Sequence, residues 1–402
     1  MPDADHGPWQ LLVRYCEVAL KSTTSRLRME GRLVRNIGDA LKLSGVDAKV
    51  WASDARVWVC CFSSESEAMY ASGVVARVMG VASVSPVVTV GFRDVGELVD
   101  AAKKYFAPRV KGRMFAVRVR RRGSHSFTSR DVERLLGKVL LEMGGRGVDL
   151  EAPEITAFVE IRGSTAHLFD RVIRGPGGLP IGVEGKVLGI ILNGIYSLAA
   201  VWMVMKRGCE ADLLLLDVDT SYTERIVSLV KRFADRWMYG YRPKLHIVNA
   251  RRILTVMSTG ALDLHPLITR KVVVEVARTV AQEVGADAIV FDEFLEPSSL
   301  YILTNVASID VGEGPPILRP LIAMGRDEVS RVLERIGLKE LIPEEYSIYS
   351  ALEPRGSRVA NVEDADSVKK GLAQAIECAR SYAVGRGEYD LRTLTRRVSV
   401  YC

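Results

Sequence analysis

Nine residues from Arg174 to Gly182 (RGPGGLPIG) contain four glycines and two prolines. No helix or strand runs through such a stretch, so it reads as a hinge or linker. After it, short continuous apolar runs alternate with helical ones: VLGIIL, SLAAVWMVMKRG, ADLLLLDVD, TERIVSLVKRFADRWM, KLHIVNA, TRKVVVEVARTVAQEVG and ADAIVF. Apolar strands interleaved with helices predict a parallel sheet covered on both faces. Before it the pattern differs. WQLLVRYCEVAL reads as a strand, SRLRMEGRLVRNIGDALKLSG as an amphipathic helix ending at Gly45, and DAKVWASDARVWVCCFS as a hairpin. A helix (ESEAMYASGVVARVM), a strand (SVSPVVTVGF), a helix (DVGELVDAAKKYFAPRV), a basic strand (FAVRVRRRGSHSF), a helix (SRDVERLLGKVLLEM) and a strand (ITAFVEIRGSTAHLFDRVI) follow. The expected organisation is an α+β unit at 1–65, a second at 66–173, the linker at 174–182 and an α/β unit at 183–402.

One segment resembles a membrane span. Between Lys186 and Lys206 lie 19 uncharged residues, VLGIILNGIYSLAAVWMVM, about the length a bilayer core requires. Asn193-Gly194 in its middle is a turn signal, so strand, turn and helix account for the run without lipid. The N-terminal MPDADHGPWQ is acidic and lacks the apolar core of a secretory signal. A cytoplasmic location is expected. Of the six cysteines only Cys60 and Cys61 are close in sequence, and the histidines (His6, His125, His167, His246, His265) are scattered. Neither a disulfide framework nor a metal site is indicated.

Charge is uneven. Residues 1–180 carry 27 basic and 20 acidic side chains, against 28 and 29 in the remainder. A polyanionic partner therefore belongs to the first part. Between Ala101 and Arg130 there are ten basic residues and no acid: Lys103, Lys104, Arg109, Lys111, Arg113, Arg118, Arg120, Arg121, Arg122 and Arg130. Strand alternation puts Arg118 and Arg120 on the face opposite Val117 and Val119, with Arg121 and Arg122 at the strand end. An array of guanidinium groups with His125 and Phe127 nearby suits RNA phosphates and stacked bases. The plainer alternative is a solvated face whose acidic partners lie elsewhere in the fold. Lys21, Arg26 and Arg28 are secondary candidates.

The segments RYCEVALK, FAVRVRRRGSHSFTSRDVERLLG and GPGGLPIGVEGKV, followed by KRG at Lys206 and ILRPLI at Ile317 to Ile322, resemble in order and spacing the tRNA 4-thiouridine synthetase (tRNA sulfurtransferase) family. The resemblance implies an N-terminal ferredoxin-like domain, a THUMP RNA-binding domain and a parallel-sheet domain of the adenine-nucleotide α-hydrolase type. It further implies tRNA as partner, homodimerisation, and a reaction in which ATP with Mg2+ adenylates a uridine before sulfur arrives from a cysteine persulfide.

The nucleotide positions that the resemblance points to are Leu188, Gly189, Asn193, Gly194, Tyr196, Ser197, Leu215, Leu216, Arg270, Asp292 and Tyr301. Several depart from the family pattern. Where the family has SGGxDS, whose small residues let backbone N–H groups approach phosphate, this chain has Leu192-Asn193-Gly194-Ile195-Tyr196-Ser197. Only Gly194 and Ser197 match. A GES-type turn corresponds to Asp292-Glu293-Phe294, a family glutamine to Tyr301, and the sulfur-carrying cysteine to Ser347. Arg270 and Lys271 match a basic pair that on an amphipathic helix reads as a solvated face. Cys378 reads as an apolar helix residue and Cys402 as a tail thiol.

Three functions are consistent with these residues. One is a tRNA-binding family member that has lost adenylation and serves as a structural or partner-docking module. In that case no cofactor is needed. The second is an active ATP-dependent tRNA sulfurtransferase with an external sulfur donor, with an intact homologue as partner. The third is an α/β protein taking another ligand in the altered cleft near Asp217, Asp219, Asp292 and Glu293, for which ordinary loop solvation is the simpler account.

Overall fold

A computed structural model describes residues 7–251, 266–293, 295, 312–341, 373–374, 376–378, 380–381, 383, 386–394 and 396–397. The chain forms two compact units, Met1–Gly178 and Leu179–Cys402.

Unit 1 is built on one sheet. Its strands are β1 (Trp9–Arg14), β2 (Lys49–Ser53), β3 (Arg56–Phe62), β4 (Ser83–Gly91), β5 (Met114–Arg122), β6 (Gly147–Val148), β7 (Ile155–Arg162), β8 (Thr165–Phe169) and β9 (Ile173–Arg174). They lie in the order β2-β3-β1-β4-β8-β7-β5-β6, with β9 beside β4. Strand β4 pairs β1 along most of its length and β8 over its last residues, so the two α+β segments expected in 1–173 share a single sheet. The helices are α1 (Thr23–Leu43), α2 (Glu65–Val75), α3 (Val95–Val110) and α4 (Ser129–Glu142). Side chains of Ser64, Asp94 and Thr128 accept backbone N–H bonds at the starts of α2, α3 and α4, as N-terminal caps require.

Two details correct the sequence expectation. The segment after Arg14 leaves the strand for a 3₁₀ turn, Glu17–Leu20. The long run ITAFVEIRGSTAHLFDRVI is not one strand but the hairpin β7–β8, turning at Gly163 with φ of +56°, a conformation that glycine adopts without cost.

The face of the sheet under α3 and α4 buries Val117, Val119, Val159, Ile161 and Leu168 with Phe106 and Leu136. The opposite face carries a cluster of Leu12, Trp58, Val87 and Phe169, to which no helix contributes. These residues are buried because the sheet curls over itself. In a flat sheet β3 and β8 would lie about 14 Å apart, three strand spacings. Here the rings of Trp58 and His167 approach to 4.5 Å, and Arg162 at the end of β7 donates to the Asp54 carbonyl in the β2–β3 turn at 2.9 Å.

Glu160 of β7 is enclosed by the curl, 4% exposed. It accepts bonds of 3.0 and 2.6 Å from Arg162 and lies 3.4 Å from Arg56 and 3.5 Å from Arg14. Burial alone would raise its pKa, but the Arg162 bonds and the charges of Arg56 and Arg14 outweigh it and hold the carboxyl below its usual range. At the far edge, β6 covers only the start of β5, and the Glu133 side chain of α4 accepts the Val119 N–H at 2.9 Å.

Unit 2 contains β10 (Lys186–Ile191), α5 (Ile195–Met205), β11 (Glu210–Asp217), α6 (Thr220–Trp237), β12 (Lys244–Asn249), α7 (Pro266–Val284), β13 (Ala288–Val290), β14 (Ile317–Leu318), α8 (Arg326–Ile336), β15 (Gly387–Asp390) and β16 (Arg396–Arg397). The sheet order is β14-β13-β10-β11-β12-β15-β16. Strands β14 to β12 are mutually parallel, and β15 with β16 adds an antiparallel edge. The uncharged run from Val187 to Met205 is thus β10, a turn and α5. Among the described residues no helix is long and apolar enough to cross a membrane. Successive strands depart from β10 first on one side (β11, β12) and then on the other (β13), so the order reverses at β10. In open α/β sheets the crevice at such a reversal is where ligands bind.

Replacing Glu160 by Gln strands buried arginines and should lower unit 1 stability by roughly 3 kcal/mol near neutral pH. Because the folded pKa is depressed, this advantage over the variant is present above the unfolded value of about 4.3 and disappears as pH falls through the folded one. Urea unfolding of both proteins from pH 7 to pH 3 checks both the size and the convergence.

Candidate functional site

Two sets of side chains, one in each unit, carry the chemistry that the sequence points to. In unit 1, β5 presents the arginines. Alternation leaves Arg118, Arg120 and Arg122 exposed while Val117 and Val119 are buried. Arg118 donates to the Leu150 carbonyl at 2.6 Å. Arg121 contacts His125 Nδ1 at 3.1 Å, and His125 Nε2 contacts the Gly163 carbonyl at 2.8 Å. Phe127 lies against His125, centroid to centroid 5.1 Å. Lys104, Lys111 and Arg130 are exposed and Lys103 half-buried. Arg109 belongs to the interior instead: it stacks 3.9 Å from the Tyr105 ring and pairs with Glu65 and Asp170. Of the secondary candidates, Lys21 and Arg28 are exposed, while Arg26 lies 3.8 Å from Glu30.

Residues that local sequence did not single out complete this face. A cleft of about 1100 Å³ has Trp51, Trp58, His167, Thr89, Arg122 and Arg162 among its walls. The His167 ring contacts Thr89 Oγ1 at 2.9 Å, and burial holds its pKa at about 4, so it is neutral at pH 7. No local spacing could have found this set, since its members come from strands far apart in the chain.

In unit 2 the loop after β10 meets the end of β13. Gly194, with φ of +46°, turns the chain into α5. Ser197 Oγ accepts the N–H groups of Leu192 and Asn193, both at 3.0 Å, and donates to Asp292 Oδ2 at 2.5 Å. Asp292 Oδ2 also accepts the Asn193 N–H at 3.1 Å. These two amides are thereby bonded within the chain, that of Asn193 also by the Asp292 side chain. Burial raises the Asp292 pKa, against the opposing influence of the Ser197 bond, the Arg270 charge and the Asn193 bond.

Glu293 accepts bonds from both Arg270 and Arg319, with all three side chains less than a tenth exposed. Arg270 therefore does not lie on a solvated face, and the loop-solvation account of Asp292 and Glu293 fails: these carboxylates are 1% and 2% exposed. Each is held inside by a fixed donor. Arg319 lies within the segment ILRPLI, where no local pattern signals its contact with Glu293.

Tyr196 is half-buried beside the loop, while Leu188, Leu215 and Leu216 are buried strand residues. Gly189 lies beneath α5, where a Cβ would sit 2.3 Å from Val201 Cγ2. Asp217 accepts bonds from Thr223 and Arg251, and Asp219 caps α6. Tyr301, Phe294, Ser347, Cys402, His6 and His265 lie outside the described residues. Among the described residues no group of three or more metal-ligating side chains is placed to hold an ion.

Comparison with known proteins bears on both sets. Residues 10–85 match the ThiI ferredoxin-like domain, 92–169 the THUMP domain and 182–372 the thiamine biosynthesis protein (ThiI) family. The chain is 39% identical over 352 residues to the "Probable tRNA sulfurtransferase" of Aeropyrum pernix, covering 87% of this chain and 89% of that one. The chain belongs to the tRNA sulfurtransferase family. The Thermoplasma acidophilum tRNA sulfurtransferase is 32% identical over 385 residues, 95% of this chain and 78% of that one. Among solved structures, a Pyrococcus horikoshii protein is similar with a TM-score of 0.61 at 26% identity, over 82% of this chain and all of that one. A 4-thiouridine synthetase–RNA complex with bound ATP shares the fold, with a TM-score of 0.72 at 22% identity over 94% of this chain and 98% of that one. Ferredoxin-like, THUMP and parallel-sheet parts thus follow one another in the family's order.

Within the family's loop, Asp292→Asn tests the internal closure. A raised carboxyl pKa contributes stability that is present below the unfolded value of about 3.9 and lost as pH rises through the folded one. Unit 2 should therefore lose stability relative to the Asn variant as pH rises from the unfolded value of about 3.9 through the folded one. Denaturant unfolding followed by tryptophan fluorescence reads it, and a pH-independent difference would count against the buried carboxyl.

Proposed function

We propose that this chain binds tRNA through the arginine face of β5 and does not adenylate it. The observation that carries the second half is the closed loop: Ser197 Oγ and the Asp292 carboxylate occupy the Leu192 and Asn193 amides. An ATP pyrophosphate would have to displace the buried Asp292 carboxyl and the Ser197 hydroxyl from these amides. The residues present do not fit the nucleotide or its magnesium, since Tyr196 stands where the family pattern has an acid. No adenylation step is derived through this site, and unit 2 is read as a module for structure or for docking a protein partner.

The RNA half rests on chemistry and on kinship. Arg118, Arg120 and Arg122 project from one strand at two-residue spacing, and guanidinium groups so arranged suit successive phosphates. The family's relatives are named for action on tRNA.

A second reading is favoured by the nearly full-length similarity to tRNA sulfurtransferases. In that case an active enzyme would use ATP with Mg2+ and an external sulfur donor. Calorimetric titration of ATP and magnesium, with and without bound tRNA, separates the two. No saturable heat in either condition, with tRNA still bound tightly, is the expected result. Saturable micromolar binding would reinstate the enzyme. For the RNA face, replacing Arg118, Arg120, Arg121 and Arg122 by Ala should weaken tRNA binding and reduce its salt slope by about 3. Unchanged affinity and slope would remove β5 from the interface.

A further inference from the structure

Beneath the exposed arginines the curled sheet encloses a second cavity, of about 170 Å³, lined by Arg14, Arg118, Arg120, Phe158, Glu160 and Phe169 among others. Its floor is aromatic. Phe158 and Phe169 stack at 5.0 Å with 11° between planes, and the Arg14 guanidinium lies 4.9 Å from the centre of the Phe169 ring. Its walls are strongly cationic. Glu160 is the one carboxylate lining it: Oε1 accepts from Arg162 and lies 3.4 Å from Arg56, whereas Oε2 has Arg14 at 3.5 Å and no hydrogen-bond partner.

Arg120 stands opposite Glu160 in the β5–β7 register, yet among the described residues it makes no ion pair. Its charge acts instead on Arg14 and Arg56, adding to the burial that lowers both. Arg14 falls to about 10, with burial the main cause and Glu160 the main offset. Guanidinium groups crowded together with less than matching negative charge form a site that an anion completes.

The shape of the cavity narrows the ligand. Glu160 and Phe169 at its base are both 4% exposed, so a chain that enters has to leave by the same mouth. A strand end can do so, whereas a continuing phosphodiester backbone cannot. A terminal phosphate also brings up to two negative charges against one for an internal diester, and a ribose or base beside it can rest on the phenylalanine rings. We infer that this cavity receives the 5′-terminal phosphate of the RNA, using Arg14, Arg118 and Arg120 as donors. This rests on the proposal that unit 1 binds tRNA and specifies which group of the RNA it reads there.

The test compares one tRNA bearing a 5′-monophosphate with the same tRNA dephosphorylated to a 5′-hydroxyl, at fixed salt. The wild-type protein should bind the phosphorylated form about tenfold more tightly, the scale of one charged hydrogen-bond set. Arg120→Gln, an exposed change that leaves the Glu160 cluster intact, should erase that ratio. Arg122→Gln removes the same charge from the same strand outside this cavity. It should weaken both RNAs and keep the ratio. Inorganic phosphate, matched in ionic strength with chloride, should compete with the phosphorylated RNA and spare the other. Equal binding of both RNAs by the wild-type protein overturns the pocket and leaves the RNA reading standing. A ratio that Arg120→Gln preserves overturns the assignment of donors. Failure of both RNAs to bind overturns the RNA reading itself.

Discussion

A backbone amide at the C-terminal end of a central parallel strand has no partner within its sheet, and something has to satisfy it. In unit 2 that requirement falls where the strand order reverses at β10, and it is met from inside. Ser197 folds back onto the Leu192 and Asn193 amides, and Asp292, just beyond the neighbouring β13, accepts from the Asn193 amide and from Ser197. The arrangement couples the ends of two neighbouring strands. Next to it, Glu293 gathers Arg270 from α7 and Arg319 from beyond β14. Helix, strand and loop are therefore tied by side chains at the mouth of the sheet.

Unit 1 solves a different problem. Its helices protect one face of the sheet, and the other would be left with Leu12, Trp58, Val87 and Phe169 in water. Curling buries them, at the cost of enclosing Glu160 with its arginines. The result is a surface whose interior is apolar and aromatic while its rim is cationic. RNA-binding surfaces combine these two properties, one for bases and one for phosphates.

Period and alternation, both local properties, were enough to separate the two architectures and to predict the exposed arginines of β5. The parallel strands after Gly182 were legible as continuous apolar runs, and Asn193-Gly194 marked the turn that divides the uncharged segment. What depends on contacts between distant residues was not legible. In ITAFVEIRGSTAHLF nothing distinguishes a glycine within a strand from one that turns it. Glu160 reads as one polar position of an alternating strand until Arg14 and Arg56 arrive from β1 and β3. Arg270 resembles any arginine on an amphipathic helix, because its partner Glu293 lies 23 residues further on. The resemblance showed that LNGIYS departs from the family's loop pattern, but not that Asp292 bonds Asn193 and Ser197 across it.

The edge of the unit 1 sheet bears on solubility. Beyond its first residues β5 has, among the described residues, no neighbouring strand on one side, since β6 is only two residues long. An exposed strand of that kind is a template for pairing with another chain. Here the Val119 N–H is already taken by Glu133, and from Arg118 to Arg122 every second side chain is a charged arginine. Two copies brought edge to edge there would oppose like charges. The arginines that suit a polyanion thus also keep the protein from zipping to itself, so that neutralising them would expose a sticky edge as well as a weakened grip.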